Sequence, residues 1–345
     1  MTKAKTLELL KERQRRYDTT RITRYKPYDY QRKFHAESME CPQRILMAAN
    51  RVGKPYSGAA ETAFHLTGQY PDWWEGRRFT KAVRVWVAGE SNDTTRDIIQ
   101  RELFGNPQDP SKLGHGSIPH SSIVETVRKP GVPNAYSSAL VKHISGNNSQ
   151  ISFKAYEQGY EKFMGEAIDV VWLDEEPRQE IFSQCITRTV DTNGIVYMTF
   201  TPERGMTSVV SGFLNDLKPG QSLTTATWND VDHLDEKTKN QLLAVYSPAE
   251  REMRSKGIPV FGSGLVYPVN ESEVTCDDFD IPDHFTRLAG IDFGFDHPTA
   301  ITWAAFDPDD DIIYIYDEYR RSKETPLTHA AVINARSSGI PVAFP

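Results

Sequence analysis

Short apolar runs bounded by turn residues recur along this chain, at spacings that suit an α/β protein. Ile45-Leu46-Met47 is followed by a glycine-lysine loop and then by a segment, Ser57 to Leu66, that reads as a helix. Val85-Trp86-Val87-Ala88 predicts another strand with a helix after it. Val170-Val171-Trp172-Leu173 and Ile195-Val196-Tyr197-Met198 are apolar without alternation, the pattern of strands buried on both faces. Leu288 to Ile291, Ile301 to Phe306 and Ile312 to Ile315, with turns after Phe295 and at 307–311, predict a three-stranded meander. The stretch from Phe104 to Gly131, rich in Gly, Pro, Ser and His, interrupts the sheet pattern and is expected to be an insertion loop. Pro219-Gly220 and Cys276 to Asp280 read as connectors.

The polar ends of these strands carry the candidate chemistry. Asp174-Glu175 closes one buried strand, placing carboxylates where open α/β sheets bind ligands. Ala48-Ala49-Asn50-Arg51-Val52-Gly53-Lys54 lies between a strand and a helix, the setting in which backbone N–H groups and a helix N-terminus cradle phosphates. Taken alone, the acids read equally well as a helix start, and the loop as an ordinary strand-to-helix turn. Together they favour a P-loop ATPase fold. Lys54 would then neutralise the β- and γ-phosphates of ATP, Asp174 would hold Mg²⁺ and Glu175 would act as general base. Asn50, Arg51, Val52 and Gly53 form the cradle, and the Arg51 side chain is a phosphate ligand or a surface arginine. Thr199 and Thr201 end the next strand, as γ-phosphate sensors or as a Thr-Pro turn. Tyr28, Tyr30 and Gln31 suit stacking on and hydrogen bonding to an adenine, or plain packing.

Pro55 departs from the phosphate-loop pattern, since proline has neither a hydroxyl for Mg²⁺ nor an N–H for phosphate. The fold tolerates proline in a helix's first turn. The chemistry loses contacts of roughly 1.5–3 kcal/mol each, so impaired hydrolysis is expected of this chain.

Asp292, embedded in the first meander strand, is costly unless it binds a metal or a partner. With the Asp-Phe-Gly turn beside it, the meander looks like the opening of a ribonuclease-H-like nuclease that uses two Mg²⁺ or Mn²⁺ ions. A sheet edge bearing protective charges is the plainer reading.

In order, the aromatic-glutamine segment, the degenerate P-loop, the Asp174-Glu175 strand, Thr199-Phe200-Thr201 and the Asp292 meander resemble the large terminase subunit of tailed bacteriophages. The resemblance covers nearly the whole chain. It implies a packaging ATPase joined to a ribonuclease-H-like nuclease, with Thr199 to Thr201 coupling hydrolysis to DNA movement and Asp292 as a catalytic, metal-binding acid. Gly257 to Pro268, after a helical stretch with Arg251 and Arg254, resembles the family's domain junction. The resemblance further implies double-stranded DNA, a portal protein, a small terminase subunit and a homo-oligomeric ring as partners, in the host bacterial cytoplasm. The end of the chain, Pro341 to Pro345, resembles the strand before the family's next nuclease acid, so a shortened nuclease is expected, with Asp296, Asp317 or Glu318 as partial substitutes. The domains are expected at 1–33 (a basic arm), 34–257 (the P-loop ATPase), 258–285 (a junction) and 286–345 (the start of the nuclease). A helicase-like ATPase and a catalytically silent remnant are the rival readings.

Composition narrows this picture in a few places. The chain has 345 residues, enough for two cores. No apolar run approaches the ~20 residues that span a bilayer, and the N-terminal residues lack the apolar core of a signal peptide, so no membrane partner is expected. Cys41, Cys185 and Cys276 show no metal or disulfide spacing, and His115 and His120 are irregularly placed. The net charge of −7 argues against a DNA-coating protein. It is unevenly spread: residues 1–33 hold 11 Lys or Arg against 4 Asp or Glu, a net +7, which leaves −14 for the rest. That arm suits DNA, an acidic partner or a solvated helix. Arg77-Arg78 with Lys81 and Arg128-Lys129 are local basic patches, and Arg96 and Arg101 are candidates for a trans-acting arginine.

Overall fold

The computed structural model describes residues 3–19, 21–259, 274–337 and 339–343. It divides into two units, Met1–Val269 and Asn270–Pro345. Of the expected junction at 258–285, residues 260–273 lie outside the described residues.

The first unit is built on an eight-stranded sheet. Its strands are β1 (Gln43–Ala48), β2 (Arg84–Gly89), β3 (Ile123–Arg128), β4 (Tyr136–Lys142), β5 (Asn148–Ala155), β6 (Val170–Asp174), β7 (Ile195–Phe200) and β8 (Gln221–Ala226). The spatial order is β3-β4-β5-β2-β6-β7-β1-β8. From β5 to β8 every pairing is parallel, and β3 and β4 add an antiparallel edge. β3 lies inside the stretch expected to be an insertion loop. As an edge strand with mostly exposed residues, it has no apolar run to reveal it.

β6 and β7 are buried throughout, and their side chains alternate between two cores. Trp172 and Tyr197 join Phe34, Phe64 and the helix Lys54–Thr67 on one face. Val171, Leu173, Val196 and Met198 meet the helices Gln179–Val190 and Ser208–Asn215 on the other. Gly58 lets the first of these helices lie against the sheet, because a Cβ there would run into the Trp172 indole. Beside it the Arg44 guanidinium pairs with Glu61, whose carboxylate also accepts from His35 Nδ1 at 2.6 Å, with His65 Nε2 at 3.4 Å; all are buried. Arg44, above all, holds the Glu61 carboxyl well below its usual range against the cost of burial.

The arm expected over 1–33 is not one element. The helix Lys3–Thr19 exposes Leu7, Leu9 and Leu10, whereas Ile22, Tyr25 and Tyr30 are core residues, and the helix Asp29–Ala36 runs across the expected boundary. No helix among the described residues is long and apolar enough to cross a membrane.

The second unit is a four-stranded sheet ordered β11-β10-β9-β12. β9 (Thr286–Asp292), β10 (Thr299–Asp307) and β11 (Ile312–Arg321) are the antiparallel meander, and β12 (Val342–Ala343) runs parallel to β9. Its core is Ala289, Ile291, Ile301 and Trp303, with Val332 and Ile333 of the helix Pro326–Arg336 packed against it.

Candidate nucleotide site

Strand order decides where the chemistry gathers. β7 lies between β1 and β6, so the loop after β1, the acids after β6 and the threonines of β7 meet at one end of the sheet. That end is the carboxyl edge, where such sheets place ligands.

The loop is held by its carbonyls. Trp228 Nε1 donates to Asn50 O at 2.8 Å, His233 Nε2 to Arg51 O at 2.8 Å and Gln31 Nε2 to Gly53 O at 3.3 Å, while the Tyr30 hydroxyl donates to Val52 O. In a trans peptide the N–H of the next residue points the opposite way. Pinning these carbonyls therefore turns the amides of Arg51, Val52, Gly53 and Lys54 to the other side, as a phosphate cradle requires. Arg51 (φ 63°) and Gly53 (φ 90°) take left-handed backbone to close the loop, and Lys54 opens the helix.

Lys54 is 5% exposed, and its Nζ donates to Ala49 O at 2.7 Å, Ala48 O at 3.2 Å and Thr201 Oγ1 at 2.6 Å. Burial pulls its ammonium down to about 8 against the opposing charges of Glu175, Asp174 and Glu203. Thr201 also bonds Asn50 Oδ1 at 2.6 Å. Two residues earlier, on β7, Thr199 accepts from Trp172 Nε1 at 2.8 Å and donates to Asp174 Oδ1 at 2.8 Å. Asp174 is 4% exposed, and burial pushes its carboxyl up to about 6. Glu175 (φ 64°) is reached by water, yet the protein packed around it, and then the Asp174 charge, push its carboxyl up to about 7. Tyr156 Oη fixes this turn, 3.0 Å from Asp174 O and 2.9 Å from Glu175 O.

The donor set fits Mg²⁺. Asp174 presents a buried carboxylate whose raised protonation a cation would reverse, and Mg²⁺ takes one or two carboxylates with phosphates and water. Pro55 offers nothing there. The nearest following aliphatic hydroxyl, Ser57, faces away, 3.4 Å from Tyr25 Oη and 3.4 Å from His35 Nε2. Gln31, expected on adenine, is engaged by the protein: its Oε1 accepts from Tyr28 N at 2.9 Å while its Nε2 holds the loop. The Tyr28 hydroxyl lies 3.0 Å from His233 Nδ1. Arg96 is paired with Asp93 and Asp97, whereas Arg101 is exposed.

In the second unit Asp292 is exposed at the end of β9. The register Gly290↔Thr302↔Glu318 and Asp292↔Ala300↔Arg320 puts Glu318 on the face of Asp292. Asp317 belongs to the other face, where Arg336 NH1 donates to it at 2.8 Å. Among the described residues no group of three or more His, Cys, Asp or Glu is placed to hold a metal.

Trp228, His233 and Tyr156 escaped sequence reasoning. They act through tertiary contacts far along the chain, and no local spacing marks them.

A family profile described as "Terminase large subunit, T4likevirus-type, N-terminal" matches residues 45–274. The large terminase subunit of Salmonella phage P22 is 36% identical over 98% of this chain and 71% of its own length. That of Enterobacteria phage LP7 is 26% identical over 98% and 74%. The large terminase of a thermophilic bacteriophage, solved in complex with ADP, superposes with a TM-score of 0.52 at 11% identity, covering 92% of this chain and 77% of that one, a likeness of fold. On the profile and the P22 relative, this chain belongs to the large terminase subunits of tailed bacteriophages, enzymes that join a packaging ATPase to a nuclease.

Proposed function

We propose that the first unit binds Mg–ATP between the loop at 49–54 and the acids of β6, and hydrolyses it to move double-stranded DNA. The observation that carries this reading is the gathering of two hydrogen-bonded pairs, Lys54 with Thr201 and Thr199 with Asp174, from three adjacent strands and their loops at one end of the sheet. The inward amides take the phosphates, and Lys54 leaves its carbonyl partners for the terminal ones. Glu175, with its raised pKa, accepts the proton of the attacking water as that oxygen bonds the γ-phosphorus and the bond to the β–γ bridging oxygen breaks. Bound beside Asp174, Mg²⁺ would neutralise charge on the phosphates. The thermophilic phage terminase solved with ADP supports nucleotide binding here. A portal protein, a small terminase subunit and a ring of like subunits in the host cytoplasm complete the proposal. Asp292, with Glu318 on its face, is proposed as the acid of the nuclease unit.

Pro55 favours a second reading for this particular chain, a member that binds nucleotide but turns it over slowly. Steady-state ATP hydrolysis with Mg²⁺, with and without duplex DNA, separates the two. Pro55→Thr is expected to raise the rate about tenfold or more, as restoring a charge-assisted contact implies. Adding Glu175→Ala should then abolish turnover and spare binding. Equal rates with proline and threonine would remove Pro55 from the account.

A further inference from the structure

Glu176 stands beside the proposed base and plays no part in the nucleotide site described above. Left-handed backbone at Glu175 and the proline at 177, which confines residue 176 to extended conformations, send the two side chains apart. Glu175 interacts with the charges of Lys54 and Asp174, whereas Glu176 is 4% exposed and turned toward Thr207. There its Oε1 accepts from the Thr207 hydroxyl, and its Oε2 is buried with no hydrogen-bond partner among the described residues. Burial raises its pKa, opposed by Thr207 and by the charge of Arg204.

Thr207 is the N-cap of the helix Ser208–Asn215, and its Oγ1 accepts from Val210 N at 3.2 Å. It is also tied back to β7 through successive tight turns. Glu203 N donates to Thr201 O at 2.7 Å, Gly205 N to Pro202 O at 3.1 Å and Thr207 N to Gly205 O at 3.1 Å. The segment Thr201–Thr207 is thus a short, cross-braced strap. One end touches the phosphate lysine through Thr201, and the other touches the residue after the base through Thr207.

We propose that Glu176 is a positioning residue that links the Asp174-Glu175 turn to the N-terminus of the helix Ser208–Asn215, so that nucleotide-driven movement of the turn reaches that helix. The proposal rests on the nucleotide reading of the site. Glu176 is not a second base, because one oxygen is committed to Thr207 and the side chain is shut away from water. Its lone buried oxygen makes the contact easy to disturb, since an unsatisfied carboxylate oxygen holds its place only through the surrounding packing.

Hydrogen exchange on the full chain, with and without Mg²⁺ and ATPγS, tests this. In the parent, nucleotide should slow exchange by about fivefold in peptides over 49–58 and over 208–215. Glu176→Ala should keep the first response and lose the second, and Glu176→Gln, which still accepts from Thr207, should retain both. Glu176→Met fills the space without an acceptor for Thr207, leaves the cap of the helix in place, and serves if Glu176→Ala does not fold. A response at 208–215 that survives both Glu176→Ala and Glu176→Met, or a parent that responds at 49–58 alone, overturns the link. No response at 49–58 in the parent removes the nucleotide reading, and the proposal with it.

Discussion

Asp174 shows at the scale of one residue how function opposes stability. Its carboxyl is buried and titrates at about 6, above the ordinary value of 3.8, so the folded state binds its proton more tightly than the unfolded state does. Ionised Asp174 therefore costs stability above about pH 6, and the cost fades as both states become protonated toward pH 4. Asp174→Asn keeps an acceptor for Thr199 and removes the buried charge. The value of about 6 already includes the attraction of Lys54, so the substitution is expected to stabilise the nucleotide-free protein by about 1–3 kcal/mol at pH 7.5 and by little at pH 4. Denaturant unfolding at the two pH values checks this; a loss of stability at pH 7.5 would mean that Asp174 is a structural ion-pair member. Such residues are where a fold departs from its stability optimum for the sake of chemistry.

Gly58 sets how close one element lies to another. It sits in the helix Lys54–Thr67 against Trp172 of β6, so the distance between the phosphate loop and the acidic strand depends on a missing side chain. Gly58→Ala should destabilise the protein by about 1–3 kcal/mol through overpacking and weaken nucleotide binding as the loop shifts. Unchanged unfolding and affinity would show that the helix moves freely. The buried strands β6 and β7 were legible in the sequence because parallel strands covered on both faces are unbroken apolar runs with polar ends. β3 was not, because an edge strand need not be apolar. The helix Pro248–Lys256 was legible as a helix but not as a support for the site. Its Gly257 cap packs against Ala48, and Arg254 O accepts from Asn50 N at 2.8 Å, contacts that only the tertiary fold creates.

For the whole molecule, the two units differ in how far their chemistry is assembled. The strand order of the first gathers residues from 30 to 254 around one loop, whereas in the second the register places Glu318 on the face of Asp292. The proposed role of Asp292 is checked by a plasmid nicking assay with Mg²⁺ or Mn²⁺: cutting is expected to be lost in Asp292→Ala, and equal cutting by parent and variant would contradict that role. The family and the two-part plan were legible from the motifs and their order. The engagement of Gln31 with the loop was not, because the same residue type in the same place serves an adenine or a backbone carbonyl equally well. The central claim is that the loop at 49–54 is a phosphate cradle with Lys54 at its heart. Equilibrium binding of ATPγS with Mg²⁺ to the parent and to Lys54→Ala tests it most directly. The account predicts saturable binding weakened by about a hundredfold in the variant, the loss of a buried charge-assisted pairing; equal affinity in the two proteins would contradict it.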